Sequence, residues 1–424
     1  MTCGLTRRQF AAGLSATAAT ATAAPRAFAQ AAPRIVVVGG GFGGATAARF
    51  AKQLMPRADV TLVERSLPYM ACPFSNLVIA GLRDIGAQAF RLERIQARGV
   101  RLVADTASDI DPARRTVSLE GGGELSYDRL ILSPGIDLRW GALEGYEAGA
   151  ETAMPHAWKA GEQTQRLRGQ LEDMEDGGLV VMSAPAAPYR CPPGPYERAS
   201  LIAHYLRTRK PRSKLIVLDA KDEFSKMALF RAAWAEHYPD HLEWRGARDD
   251  GRVSRVDPGA MKLETDFESF SADVANIIPP QKAAAIAGRA GVADATGWCP
   301  VDATRFESTL QPNIHVIGDA AIAAPMPKSA FSANLQGKLC AMQVVRLLSG
   351  LEAEATVLAN TCYSYVTPQG AVSIADVYRN DGGAFESVEG AGGVSPVEAP
   401  DKVRRAEARE AEAWFAAITS EAFG

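Results

Sequence analysis

At 424 residues the chain is too long for one hydrophobic core, which excludes a single small domain and leads to an expectation of two or three. Apolar residues make up 47% and charged residues 22%, the balance of an ordinary soluble globular protein. A net charge of −3 argues against a nucleic-acid partner and is compatible with a basic protein partner.

Residues 1–30 read as a targeting segment rather than as part of the fold. Thr6-Arg7-Arg8-Gln9-Phe10 is a twin-arginine pattern, an Ala/Thr-rich stretch runs on to Ala24, and Ala27-Phe28-Ala29 supplies a cleavage site. Export to the periplasm by this route suits a protein that takes up its cofactor before crossing. No other run of about 18 apolar residues exists, so no transmembrane segment is expected. Cys3 leaves with the signal, and Cys72, Cys191, Cys299, Cys340 and Cys362 stay. An odd number of thiols in an oxidising compartment implies that one is covalently occupied or buried free.

Next in the chain, Val36-Val37-Val38 runs into Gly39-Gly40-Gly41-Phe42-Gly43-Gly44. Gly39, Gly41 and Gly44 form the G-x-G-x-x-G dinucleotide fingerprint, with a helix expected over 45–51. A pyrophosphate would sit on that helix N-terminus. Glu64 ends a second apolar run, where a carboxylate for the ribose hydroxyls belongs. Tyr127-Asp128 and the strand 130–132, ending at Gly135, look like the second FAD-domain signature of flavoproteins with two dinucleotide domains. Strands are expected at 179–182 and 215–219, with a helix at 196–208. Between them, 183–195 stands where a second glycine motif would bind NAD(P)H. That loop is rich in proline, which lacks the N–H donors a phosphate needs. It reads as a nucleotide domain that has lost nicotinamide binding. Downstream, 314–317 delivers Gly318-Asp319 into a turn before a helix at 329–348. A Gly/Pro/Glu-rich loop at 381–400 and an amphipathic helix at 406–423 complete the chain.

The histidines (156, 204, 237, 241 and 315) are scattered, and Pro239 disrupts the His237/His241 spacing, so no metal site is expected. No C-x-x-C-H occurs, so the chain carries no c-type haem attachment of its own. The fold class expected is α/β, a two-dinucleotide-binding-domain flavoprotein of the disulfide-reductase kind with a C-terminal α+β interface domain. The domains expected are a discontinuous FAD domain (31–145 and 286–355), an insert (146–285) and a C-terminal domain (356–424) that covers the flavin and contacts the partner.

Several strings carry a closer resemblance. They are Tyr69-Met70-Ala71-Cys72-Pro73-Phe74-Ser75-Asn76, Tyr189-Arg190-Cys191-Pro192-Pro193-Gly194-Pro195-Tyr196-Glu197-Arg198-Ala199-Ser200, Gly297-Trp298-Cys299-Pro300-Val301-Asp302, Gly318-Asp319 through Pro325-Met326-Pro327-Lys328-Ser329, and Asn360-Thr361-Cys362-Tyr363-Ser364. Together they resemble the flavoprotein subunit of flavocytochrome c sulfide dehydrogenase, including its sulfur-oxidation relative, over essentially the whole mature chain. The resemblance implies FAD held covalently through an 8α-thioether to Cys72, with Gly39, Gly41, Gly44, Glu64, Arg65, Gly135, Gly318, Asp319 and Lys328 around the cofactor. It implies a redox-active disulfide between Cys191 and Cys362. Hydrosulfide, a soft nucleophile, would attack that disulfide and leave a persulfide and a thiolate. The competing reading of the pair is a structural disulfide. The position of Cys191 before a helix is expected to lower its thiol pKa. Glu197 is either a cap of that helix or the general base that takes the proton from hydrogen sulfide. Cys299 and Cys340 read as buried free thiols.

The function implied is oxidation of sulfide to sulfur or polysulfide, with electrons passed to a c-type cytochrome subunit. Two alternatives stand beside it: a sulfide:quinone oxidoreductase, and an accessory flavoprotein that reactivates a sulfur-oxidation complex with protein-bound persulfide as donor. The proline-rich loop argues against an NAD(P)H-dependent disulfide reductase.

Overall fold

The β-branched run Ile35-Val36-Val37-Val38 favours an extended, two-side-buried conformation, and strand β1 (Arg34–Val38) is buried at every residue but Arg34. The computed structural model describes residues 31–424, so the targeting segment read at 1–30 lies outside the described residues. A glycine turn leads from β1 into helix α1 (Phe42–Leu54). The helix starts before the expected 45–51 because Gly41 itself is the N-cap. Strand β2 (Asp59–Val63) then pairs parallel to β1, with Val63 opposite Val38. Beyond β2 lies β3 (Arg101–Val103), and on the other side of β1 lies β4 (Arg129–Leu132).

A second parallel sheet follows. Its strands are β5 (Leu179–Ala184), β6 (Lys214–Asp219), β7 (Leu242–Arg245) and β8 (Val274–Ile277), in the order β7-β6-β5-β8. Helix α2 (Gly194–Arg209) joins β5 to β6 and is buried along most of its length. Strand β9 (Ile314–Val316) then returns to the first sheet beside β4, which gives the order β9-β4-β1-β2-β3. Helix α3 (Ala330–Leu348) packs against α1; Ser329 is its N-cap, accepting from Ser332 N at 3.0 Å.

A long antiparallel hairpin, β10 (Val357–Thr367) and β11 (Gly370–Arg379), comes last, with Cys362 opposite Ile374. Helix α4 (Asp401–Phe423) lies across it and buries Ala408, Ala411, Phe415, Ile418, Ala422 and Phe423. Phe415 stacks on Phe74 at 4.7 Å and Phe423 on Phe90 at 4.9 Å between centroids. The expected loop at 381–400 contains two short strands, Glu386–Ser387 and Gly393–Val394, both paired with β11. An available sheet edge organises a segment whose own glycines show no alternation. The architecture is α/β, with two parallel dinucleotide-type sheets and a C-terminal hairpin and helix.

Candidate functional site

The glycine turn after β1 is a cradle that side chains would fill. Gly39 has φ +98°, and a Cβ on it would lie 2.2 Å from the Ser133 carbonyl oxygen. A Cβ on Gly44 would lie 1.8 Å from the Gly39 carbonyl oxygen. The first turn of α1 holds no acidic residue and Gly41 gives no side-chain cap, which is what an anion at that helix end requires. At the end of β2, Glu64 accepts from Gly40 N at 2.6 Å and from Ser66 N at 2.7 Å. These residues fit a dinucleotide.

The remaining expected cofactor residues divide. Arg65 is exposed. Gly135 turns out of β4 with φ +69° and open space over its Cα. Gly318 donates to Gln336 Oε1 at 2.8 Å and presents Asp319. The Asp319 carboxylate lies 3.8 Å from the Arg190 guanidinium; burial holds its carboxyl above the usual range, against the pull of Arg190 and Lys328. The Lys328 ammonium is spent on the chain itself. It donates to the carbonyls of Asp319 (2.8 Å) and Ala321 (2.7 Å) and sits 4.0 Å from the Trp298 ring centroid. Burial brings it down to about 8. Lys328 therefore positions the Gly318-Asp319 turn.

Backbone donors of the proline-rich loop tie it to neighbouring segments. Arg190 N donates to Gln281 Oε1 at 2.9 Å and Cys191 N to the Lys328 carbonyl at 2.8 Å. Cys191 takes φ +58°, a left-handed backbone rare outside glycine, as residues at functional sites often do. It is half-buried, Cys362 is buried, and both are free thiols in this structure. A negative charge on Cys362 would hold the Cys191 thiol up, which places the two side chains in one site. Burial pushes the Cys191 thiol up, and Cys362 and Glu197 push it further, against Lys226 and Arg190. The expectation of a lowered Cys191 pKa is thus corrected: exclusion of water outweighs the start of α2, whose dipole Glu197 also offsets.

Glu197, in the first turn of α2, makes no cap. Its Oε2 accepts from Asn76 Nδ2 at 2.7 Å and its Oε1 from Tyr365 N at 2.9 Å, so the carboxylate joins the Cys72 segment, α2 and β10. Burial raises its pKa, while those two hydrogen bonds lower it. Asn76 is fixed in turn by Arg198, whose Nε donates to Asn76 Oδ1 at 3.0 Å. The Arg198 guanidinium is buried among carbonyls, the Asn276 amide and the Trp158 ring, and burial lowers it to about 9.

Cys72 is half-buried, its Sγ 4.0 Å from the Trp158 carbonyl oxygen, and the Arg190 guanidinium donates to the same oxygen. Ser75 Oγ (2.7 Å) and Ser75 N (3.0 Å) hold the Cys72 carbonyl. Cys72, Cys191, Cys362 and Glu197 therefore converge from three separated segments. Cys299 and Cys340 are fully buried elsewhere in the core. Sequence reasoning missed Asn76, Arg198 and Lys226 as parts of the site. The first two stand within the strings already singled out and carried a signal; Lys226 carried none.

Residues 164–279 match the family model described as sulfide dehydrogenase [flavocytochrome c] flavoprotein chain, central. Residues 354–423 match flavocytochrome c sulphide dehydrogenase, flavin-binding, and 33–175 match pyridine nucleotide-disulphide oxidoreductase. A flavocytochrome c sulfide dehydrogenase flavoprotein chain from Chlorobaculum thiosulfatiphilum is 56% identical over 45 residues, 11% of this chain and 94% of that one. The mitochondrial sulfide:quinone oxidoreductase of Mus musculus is 24% identical over 299 residues, 67% of this chain and 65% of that protein. The sulfide:quinone oxidoreductase structure from Aquifex aeolicus superposes with a TM-score of 0.70 at 18% identity, covering 92% of each chain. A ferredoxin reductase from Rhodopseudomonas palustris gives 0.62 at 16% identity, covering 81% of this chain and 82% of that one. The matched segments include the loop of Cys191 and the strand of Cys362, and the chain belongs to the family of flavocytochrome c sulfide dehydrogenase flavoprotein chains.

Proposed function

We propose that the chain binds FAD and oxidises sulfide to sulfur or polysulfide through a disulfide between Cys191 and Cys362, with a c-type cytochrome subunit as acceptor. The observation that carries this reading is the convergence of Cys191, Cys362 and the buried Glu197 beside Cys72, next to a nucleotide loop in which prolines replace glycines. The glycine cradle, Glu64 and the Gly318-Asp319 turn hold FAD, and Cys72 is the site of its thioether. When bound, FAD accepts an electron pair and releases it one electron at a time, as haem requires. Glu197 takes the proton of hydrogen sulfide. Hydrosulfide attacks one disulfide sulfur; the S–S bond breaks, one cysteine becomes a persulfide and the other a thiolate. The twin-arginine pattern supports export to the periplasm. Among the described residues no helix is long and apolar enough to cross a membrane.

Similarity to sulfide:quinone oxidoreductases favours a second reading with quinone as acceptor. The C-terminal helix supports it less: the aromatic residues Phe415 and Phe423 of α4 are buried in the core, and none of the exposed large apolar residues lies on that helix. The test is anaerobic. Sulfide is added to the purified protein, flavin bleaching is recorded, and cytochrome c, a soluble quinone and NAD are offered in turn. Bleaching with reoxidation by cytochrome c alone is expected, as is flavin mass on the Cys72 peptide after acid precipitation. Reoxidation by quinone overturns the choice of acceptor. Absence of bleaching moves the reading to the accessory flavoprotein with a persulfide donor.

Gly194 gives a sharper steric check. A Cβ there would lie 2.8 Å from Trp158 Cη2 and 3.0 Å from Cys191 Sγ. Gly194→Ala is expected to displace the Cys191 sulfur and lower sulfide turnover by about 10²-fold. Overpacking costs about 1–3 kcal/mol of stability. Steady-state rates and thermal melts separate the two effects.

A further inference from the structure

Lys226 carries a buried amine, 7% exposed, that the mechanism above leaves without a role; burial lowers its pKa, and anionic charge on Cys362, Glu197, Cys191 and Glu407 pulls it back up. It N-caps the helix Met227–His237 with φ +63°, so the left-handed turn aims its side chain inward. Its Nζ donates to the Cys362 carbonyl (3.3 Å), Ser364 Oγ (2.9 Å) and the Val372 carbonyl (3.4 Å). All three acceptors are neutral. No carboxylate among the described residues lies within ion-pair distance of it. A neutral donor would pin the hairpin as well, and a buried charge without a counter-charge is unfavourable.

The anionic groups that face Lys226 come from several elements: Cys191 from the proline loop, Glu197 from α2, Cys362 from β10 and Glu407 from α4. Two of these are already engaged. Glu197 accepts from Asn76 and Tyr365 N. Glu407 accepts from Ser373 and Ser395 and pairs with Arg404 at 3.2 Å. The cysteine sulfurs remain.

We propose that Lys226 is a positioning residue that supplies the counter-charge for the Cys362 thiolate when the Cys191–Cys362 disulfide is open. This rests on the redox-disulfide reading given above. With dithiothreitol as reductant the half-reaction is disulfide plus two electrons plus one proton, giving the Cys362 thiolate and the Cys191 thiol; with hydrosulfide the S–S bond breaks, Cys191 takes the added sulfur as a persulfide and Cys362 leaves as the thiolate. Burial pushes the Cys362 thiol up and Glu197 adds to this; Lys226 is the strongest opposing influence, ahead of Asn360 and Ser329. Tyr378 lies close enough to be raised by a Cys362 charge.

The experiment equilibrates the FAD-loaded protein in graded dithiothreitol buffers between pH 7 and 10.5. The Cys191–Cys362 disulfide fraction is then counted by acid quench and peptide mass. Lys226→Gln keeps a donor and loses the charge; it is expected to shift the equilibrium toward the disulfide little at pH 7 and progressively more as pH rises through the raised Cys362 value, toward about tenfold per pKa unit at the alkaline end. Lys226→Arg is expected to stay within about twofold of wild type. Should Lys226→Gln not fold, Lys226→Met removes the charge together with the donor, and its disulfide equilibrium is read beside its thermal melt. Equal equilibria in wild type, Gln and Arg variants, with only the thermal melt lowered, overturn the proposal in favour of a structural pin. A wild-type protein with no disulfide between Cys191 and Cys362 at any poise overturns the redox-disulfide reading and this inference with it.

Discussion

Replacing either Cys191 or Cys362 by serine is expected to reduce sulfide turnover at least about 10³-fold while the protein keeps its flavin. The two halves of that result rest on separate parts of the molecule. The dinucleotide cradle is built by Gly39, Gly44 and the N-terminus of α1, and neither cysteine is among the residues that shape it. The disulfide is the electrophile that hydrosulfide attacks, and a serine hydroxyl cannot be cleaved in its place. Because the two sulfurs act as one unit, the double serine variant is expected to be no worse than either single one. A structural cystine would behave in the opposite way. Its loss would cost about 2–5 kcal/mol of stability and leave the chemistry in place. Turnover and urea midpoint measured on the same samples decide between them. Retained turnover with a lowered midpoint would remove the pair from the mechanism.

Local physics made much of this fold readable from the sequence. The glycine turn announces itself because each contact there is backbone to backbone, so the residue type is dictated within a few positions. Glu64 follows from the length of one βαβ unit. The strands at 179–184 and 214–219 contain continuous apolar runs, 179–182 and 215–218, because both faces of a parallel sheet are buried. The electrostatics of the site were less legible. Cys191 stands before a helix, and that local feature argues for a lowered thiol pKa; the packing of α2, β10 and the Cys72 segment around it reverses the sign. The role of Glu197 shows the same limit. A carboxylate in a first helical turn reads as a cap, yet its two hydrogen bonds come from residues 121 and 168 positions away. Lys226 is the extreme case: a lysine between a serine and a methionine reads as surface, and only the left-handed N-cap carries it inside.

Glu197→Gln is the second large effect expected, a fall of about 10²–10⁴-fold in kcat at neutral pH, the usual contribution of a positioned base. The sign of the pH dependence follows from the carboxyl's surroundings. Burial raises it above its ordinary value of 4.5, with the N–H groups of Asn76 and Tyr365 pulling back. A base must be ionised, so wild-type kcat falls as pH drops through that raised value, and the falling limb lies above 4.5. The glutamine variant loses this limb in kcat. It keeps any limb in kcat/KM that belongs to the ionisation of free hydrogen sulfide, since kcat reports groups in the complex. Stability moves with the same proton. A carboxyl whose folded pKa exceeds its unfolded one contributes stability below the unfolded pKa and loses it as pH rises through the folded value. Wild-type urea midpoints should therefore decline across that window, and those of Glu197→Gln should lack this decline. Glutamine offers one oxygen where the site presents two donors, Asn76 Nδ2 and Tyr365 N, so the variant also leaves one donor unpaired, at about 1–3 kcal/mol. That offset is constant with pH, which separates it from the titration. An unchanged kcat–pH profile in the variant would assign Glu197 to holding β10 against α2 and leave the proton of hydrogen sulfide to another acceptor.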